Sequence, residues 1–241
     1  RINYAVVDPA TGEHVISGKM ECAGDSAEWT SSSEGLAAWS DDAPRLYRAE
    51  LEISNGDGAR DIFSQPFGMR HINREGFSIR LNGTRKYLRG ATEHAYFAKT
   101  CTPPISTSYY LHTIGKLKSL GFNWLRFHTW VPPEEYLDAA DQLGMLIQIE
   151  APRYSSLEEW ADIVRFCRKH PSVVIYCAGN EEILDDAKIA ELRALSELIR
   201  KEAPDALFNP QEAMRGVEYY WTPENMGADA VMEPYPHNPR R

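Results

Sequence analysis

No apolar run in this chain approaches the ~20 residues a membrane-spanning helix needs, so a helical transmembrane segment is not expected. Basic residues are neither abundant nor clustered. Lys and Arg number 26 against 35 Asp and Glu, a net charge of −9. Without a cationic stripe to neutralise phosphates, nucleic acid is set aside as a partner. Cysteine is scarce too: Cys22, Cys101, Cys167 and Cys177 form no C-x-x-C pair, which argues against a zinc ribbon or a thioredoxin-type site. Cys177 falls inside an apolar run and reads as a small core residue; one disulfide involving Cys101 is left open. The opening Arg1-Ile2-Asn3-Tyr4-Ala5 lacks the pattern of a signal peptide. A piece cut from a periplasmic or secreted protein would lack it as well, so the compartment stays open.

The composition is ordinary for a globular protein: 43% hydrophobic and 25% charged over 241 residues, enough for one large domain or two small ones. Residues 1–67 have the texture of antiparallel β structure. Tyr4–Asp8 and His14–Ser17 flank a turn at Pro9-Ala10-Thr11-Gly12, and Leu46–Ile53 and Asp61–Ser64 flank Asn55-Gly56-Asp57-Gly58. These strands are fewer than the about seven of a full sandwich. Phe77–Leu81 and Arg85–Arg89 around Asn82-Gly83 make a further hairpin.

Beyond it, strands and helices alternate. Leu111, Ile114, Leu117 and Leu120 recur at helical spacing and stop at Gly121. Trp124–His128 is a short strand. Pro132-Pro133-Glu134-Glu135 opens a helix carrying Leu137, Ala140 and Leu143 and ending at Gly144. Met145–Ile149 is a strand, Ser156 and Glu159 make a capping box, and Val173–Ala178 is a β-branched buried strand. A helix over about 186–201 and short strands at 206–208 and 230–232 follow. Repeated β-then-α units indicate a parallel sheet. An open doubly wound sheet fits this order as well, but no Gly-rich phosphate loop follows its first strand. The preferred reading is α/β, an incomplete (β/α)8 barrel preceded by a partial β-sandwich.

The strand ends carry polar residues that packing does not require. The first ends near Glu93-His94, the second carries Arg126 and His128, the third ends on Glu150, and the fourth on Asn180-Glu181. The sixth runs into Glu233-Pro234-Tyr235. In a parallel barrel such ends converge on one face, where acid/base chemistry is done. Singly, each residue has a plainer reading. Glu181 would cap the following helix, His94 would be a loop residue, and His128 a hydrogen-bonded core histidine. Arg126 would be an ion-pair partner of Glu150 or Glu181, and Glu182 a solvated helix residue.

Several segments together resemble glycoside hydrolase family 2, the β-galactosidase, β-glucuronidase and β-mannosidase group. They are Pro44 through Leu46-Tyr47; Phe67-Gly68-Met69-Arg70; Phe77 through Leu81-Asn82-Gly83; and Leu88-Arg89-Gly90-Ala91 through His94. Leu117-Lys118-Ser119-Leu120-Gly121-Phe122-Asn123-Trp124-Leu125-Arg126, Asp141-Gln142-Leu143-Gly144-Met145 through Glu150, and His170-Pro171-Ser172-Val173-Val174 through Glu181 complete the set. The likeness covers about residues 44–182. It implies an immunoglobulin-like β-sandwich domain, here partial over 1–67, and the N-terminal part of a TIM-barrel catalytic domain over 68–241.

By the same resemblance Glu181 is the general acid/base of a retaining β-glycosidase of the β-galactosidase type. Asn180 holds the sugar 2-hydroxyl, Arg126 orients the nucleophile, and His94, His128 and Glu150 line the subsite for the non-reducing sugar. Retaining enzymes place a second carboxylate ~5–5.5 Å away as nucleophile. In the family it is a Glu ending strand seven, whereas this chain stops just after the sixth. Glu212, Glu218 and Glu224 are poor substitutes, since none ends an apolar strand. The chain alone is therefore expected not to hydrolyse glycosides. Phe127-His128-Thr129-Trp130 departs from the family's Ser-His-Tyr-Pro, which bears on substrate preference.

A carbohydrate is the expected partner, with no membrane and no cofactor, and the exposed strand edges of a partial barrel favour a homo-oligomer. Two rivals stand beside this reading. One is a catalytically inactive carbohydrate-binding or structural module, with Trp130, Tyr154, Tyr220, Trp221 and Tyr235 as sugar-stacking rings. The other is a metal hydrolase using His94, His128 and Glu150, a set for which no His-x-x-x-His spacing speaks.

Overall fold

The structure, a computed structural model, describes residues 1–22, 24, 26–212 and 226–229. The strand expected over 230–232, and the residues Glu218, Tyr220, Trp221, Glu224, Glu233 and Tyr235, lie outside the described residues.

The first four strands are β1 (Ile2–Val7), β2 (His14–Met20), β3 (Tyr47–Ser54) and β4 (Arg60–Phe67). They form one antiparallel sheet in the order β2-β1-β3-β4. The β1–β2 turn closes on Gly12, whose φ of 74° only glycine adopts freely. Asp8 reinforces the turn by accepting from Ala10 N at 2.9 Å.

A second antiparallel sheet holds β5 (Ile72–Glu75), β6 (Ser78–Leu81) and β7 (Thr84–Lys86). Asn82 and Gly83 both have positive φ, 51° and 77°, the geometry of the tight hairpin that an Asn-Gly pair favours. Two sequence expectations change here. The return strand ends at Lys86 rather than Arg89, because Arg89 N donates instead to the Asn123 side chain at 2.8 Å. And β5, with one apolar residue and hence no readable alternation, forms because Ile72 pairs with Leu81 and both are buried.

The remainder alternates: β8 (Gly90–Glu93), α1 (Thr107–Ser119), β9 (Trp124–Phe127), α2 (Glu134–Leu143), β10 (Leu146–Glu150), α3 (Leu157–Cys167), β11 (Val173–Cys177), α4 (Asp186–Glu202) and β12 (Leu207–Asn209). Its strands form a five-stranded parallel sheet, β12-β11-β10-β9-β8, each beside its neighbour in sequence. Helix ends follow local chemistry. Gly144 ends α2 in the left-handed region at φ 71°, and the Ser156–Glu159 capping box starts α3. Asp185 caps α4 by accepting from Lys188 N at 2.8 Å. Glu181 is therefore not the cap of that helix, so the plainest alternative for it falls away.

The strand period of two sorts residues between the sheet's faces. Leu125, Phe127, Ile147, Ile149, Tyr176 and Phe208 face the helices, packed with Ile114, Tyr136, Leu137, Val164, Leu195 and Ile199 in one cluster. On the other face Trp124, Leu146, Ile175 and Leu207 pack with Trp39, Ile72 and Leu81. The second sheet thus seals the end of the parallel sheet where its strands begin. Trp39 is fully buried and donates its indole N–H to Asp141 O at 2.8 Å. Each such side chain contributes about 1.5–3 kcal/mol by leaving water. All four described helices contribute to the first cluster, whereas a doubly wound sheet carries helices on both faces. All four cysteines are free thiols, Cys22 and Cys101 exposed, Cys167 and Cys177 buried, so Cys101 is in no disulfide. Among the described residues no helix is long and apolar enough to cross a membrane.

Candidate active site

On the face away from the helices, the parallel strands change character along their length. Where they begin, that face is the apolar layer of Trp124, Leu146, Ile175 and Leu207. One or two strand repeats further on it becomes Arg126, Gln148, Glu150 and Asn209, held in register by the parallel pairing. Gln148 and Glu150 have no exposed surface and Asn209 has 1%. Burying a polar layer costs free energy unless its members bond one another, and here they do, save Gln148 Oε1, which has no partner among the described residues.

Arg126 is the hub. Its Nε donates to Glu150 Oε2 at 2.8 Å, and a terminal nitrogen donates to Asn180 Oδ1. Glu150 Oε1 lies 2.7 Å from His128 Nδ1. An Arg126 terminal nitrogen, which can only donate, lies 3.1 Å from the same Nδ1, so this ring atom sits between a carboxylate and a guanidinium and its role follows the tautomer. Burial works against the Arg126 charge. The hydrogen bond and field of Glu150 outweigh it, so the guanidinium lies above its ordinary pKa. His94, exposed at the end of β8, meets His128 edge-on with ring centroids 5.2 Å apart and stacks on Tyr96 at 5.9 Å.

Asn180 and Glu181 lie past the end of β11, half-buried. Glu181 has φ 54°, in the left-handed region that side chains other than glycine avoid by roughly 1–2 kcal/mol. Ala95 after β8 (φ 58°) and Tyr154 after β10 (φ 68°) share this conformation. Left-handed residues thus follow three of the strands that build one polar cluster, and such strain collects at functional sites. Arg153, exposed after β10, donates to Asn180 O at 3.0 Å.

The structure thus joins Arg126, His128, Glu150 and Asn180 by direct contacts, with His94 against His128 and Glu181 next along the chain. Glu182 is not a solvated helix residue. It precedes α4, and its carboxylate pairs with Lys188 at 2.6 Å. His94, His128 and Glu150 do not gather as a metal-ligand set. Among the described residues the one group spaced for an ion is Glu134, Asp138 and His170, where Lys169 already pairs with Glu134.

Two buried residues join the cluster without being assigned to it by the sequence: Gln148, read only as part of a strand, and Glu212, read only as a poor nucleophile. Gln148 and Glu212 bond at 2.8 Å, and Asn209 Nδ2 donates to the same Glu212 oxygen at 2.8 Å. Burial raises the Glu212 carboxyl above the usual carboxylate range, and the nearby Glu150 charge adds to it. Glu212 does not end an apolar strand, but it sits three residues past Asn209, as Asn180 sits three past Cys177, and these positions pair in parallel. That shared offset is the signal that could have found it.

Strand-end polar groups on one edge of a parallel sheet are the arrangement of enzymes that act on bound substrates at that edge. Solved structures share this fold. The Parabacteroides merdae β-glucuronidase superposes with a TM-score of 0.74 at 22% identity, covering 86% of this chain and 28% of that one. A family 2 glycosyl hydrolase from Bacteroides cellulosilyticus gives 0.72 at 23%, covering 95% and 33%. Among curated proteins, the Lactococcus lactis β-galactosidase is 28% identical over 59% of this chain and 16% of its own length. A putative β-glucuronidase of Formosa agariphila is 30% identical over 62% of the chain and 16% of its own. No protein-family model matches the chain. The resemblance to glycoside hydrolase family 2 carried by the sequence motifs is borne out, for a chain that spans 16% of the length of either curated relative.

Proposed function

We propose that this chain is part of a retaining β-glycosidase of the β-galactosidase type, acting on terminal β-linked sugars by double displacement. In this reading residues 1–67 are part of an immunoglobulin-like β-sandwich, and 68–241 are the first part of a (β/α)8 barrel. Helices confined to one face of a parallel sheet support the barrel. The observation that carries the function is the Arg126 hub, which ties Glu150 and Asn180 together beside Glu181.

Glu181 is the general acid/base. Its carboxyl gives a proton to the departing glycosidic oxygen as the nucleophile takes the anomeric carbon, then removes a proton from the water that releases the sugar. Asn180 holds the sugar 2-hydroxyl, its amide nitrogen free to donate because its oxygen already accepts from Arg126. Arg126 orients the nucleophile, a carboxylate contributed from outside this chain. His128, fixed by Glu150, and His94 line the subsite for the non-reducing sugar. The chain by itself accordingly does not turn over glycosides.

The test is a panel of nitrophenyl β-glycosides (galactoside, glucuronide, mannoside, glucoside) given to a longer protein carrying this chain, to its Glu181→Gln variant, and to the chain alone. We expect hydrolysis of the galactoside, a loss of about 10²–10⁴-fold in the variant, and none by the chain. A folded longer protein inactive on every sugar would instead favour a carbohydrate-binding module.

A further inference from the structure

We propose that Glu212 is a positioning residue for Glu181. Its side chain anchors the segment after β12, and the main chain of that segment holds the turn carrying the Glu181 carboxyl. The inference rests on Glu181 acting as the acid/base.

Strand pairing between β11 and β12 ends at Cys177 and Asn209, yet the two chains stay laced beyond it. Ala178 N donates to Asn209 O at 3.1 Å, Glu212 N to Gly179 O at 2.9 Å, and Glu181 N to Glu212 O at 2.9 Å. Glu182 N donates to the Gln211 side chain. Every residue from Ala178 to Glu182 except Gly179 and Asn180 thus spends its amide on the segment 209–212, and the Gly179 carbonyl is spent there too. Glu181 sits within this lacing in the disfavoured left-handed conformation. Such a backbone persists only where its surroundings over-determine it.

The lacing is only as firm as residues 210–212, which belong to no strand. Their anchor is the Glu212 side chain, 7% exposed and gripped through one oxygen by Gln148 of β10 and Asn209 of β12. Releasing it frees Glu212 O and N, the two groups that close on either side of Asn180. The carboxyl makes no ion pair among the described residues, and its raised pKa fits a role as acceptor and spacer rather than as a charge. Glutamine, which offers the same oxygen to the same two donors, should then replace it.

The experiment compares Glu212→Ala and Glu212→Gln in the longer protein. The kcat/KM is measured for a phenyl glycoside, whose leaving group needs a proton, and for a dinitrophenyl glycoside, whose leaving group does not. Misplacing the acid should cost Glu212→Ala about 10–100-fold on the first and under about 3-fold on the second. Glu212→Gln should stay within about 3-fold on both. Equal losses on the two substrates, or a Gln variant as poor as Ala, overturn the proposal. Gln148→Met removes one of the two donors and should show the same leaving-group dependence more weakly, which keeps the test available if the Ala variant does not fold. Hydrogen exchange at the Glu181 amide is read in parallel. We expect it to quicken tenfold or more in Glu212→Ala and not in Glu212→Gln, and unchanged exchange overturns the anchoring whether or not the protein is active. Should Glu181→Gln keep full activity, the catalytic reading fails, and the exchange result still decides the anchor.

Discussion

Replacing Arg126 by methionine tests the hub directly. The change keeps an unbranched apolar side chain in place but removes the guanidinium from Glu150 and Asn180. Glu150 has no exposed surface, and the Arg126 side chain is 15% exposed. Breaking a buried pair from one side costs about 3–5 kcal/mol, because a desolvated charge is left behind. The His128 contact at 2.7 Å remains, so the lower end applies, about 3 kcal/mol. With a urea slope of about 2–3 kcal/mol per molar for a chain of this size, the midpoint should fall by about 1–1.5 M. The assay is urea unfolding followed by tryptophan fluorescence, with Glu150→Gln and the double variant completing a cycle. We expect the double variant to recover part of the loss, since neither charge is then stranded. A loss under about 1 kcal/mol, the value of an exposed pair, together with additive single variants, would refute the reading of a buried hub.

Other expectations are simpler to check. Gly144→Ala forces a side chain into the left-handed region and brings its Cβ to 2.5 Å from Asp41 O, so it should lower stability by more than about 1 kcal/mol in thermal unfolding. Thiol titration should find Cys22 and Cys101 reactive in the native protein, and Cys167 and Cys177 only after unfolding. Burial pushes the Cys167 thiol up to about 12 and raises Cys177 as well, leaving no useful thiolate near neutrality. Glu212 binds its proton more tightly folded than unfolded. Its contribution to stability is therefore fully present below the usual carboxylate range and lost as pH rises through its raised folded value. Glu212→Gln should accordingly gain stability relative to the parent as pH rises, and a difference constant with pH would sink the argument.

Much of the parallel sheet was legible because its signals are local. Capping at Ser156 with Glu159, termination at Gly144, and the β-branched run from Val173 each act within a few residues. The polar strand ends were legible because Glu150 and Asn180 interrupt apolar runs that have no packing need for them. What stayed hidden depends on distant partners. β5 exists through Leu81 and not through its own composition. Glu212 follows a strand of only three residues, and its burial is decided by Gln148, more than sixty positions earlier in the chain. Glu182 looked solvated because its ion-pair partner, Lys188, lies six positions on, within the first turn of α4.

The division of the sheet's inner face into an apolar beginning and a polar end has a thermodynamic corollary. Arg126, Gln148, Glu150, Asn209 and Glu212 occupy positions where hydrophobic residues of like volume would serve folding as well or better. That layer is a standing deficit in stability, held against the surplus of Trp124, Leu146, Ile175 and Leu207 at the other end of the same strands. A selection for thermal resistance alone, blind to any reaction, should erode the polar layer first and leave the apolar one intact. The positions it strips would then trace the outline of the site without a substrate ever being supplied.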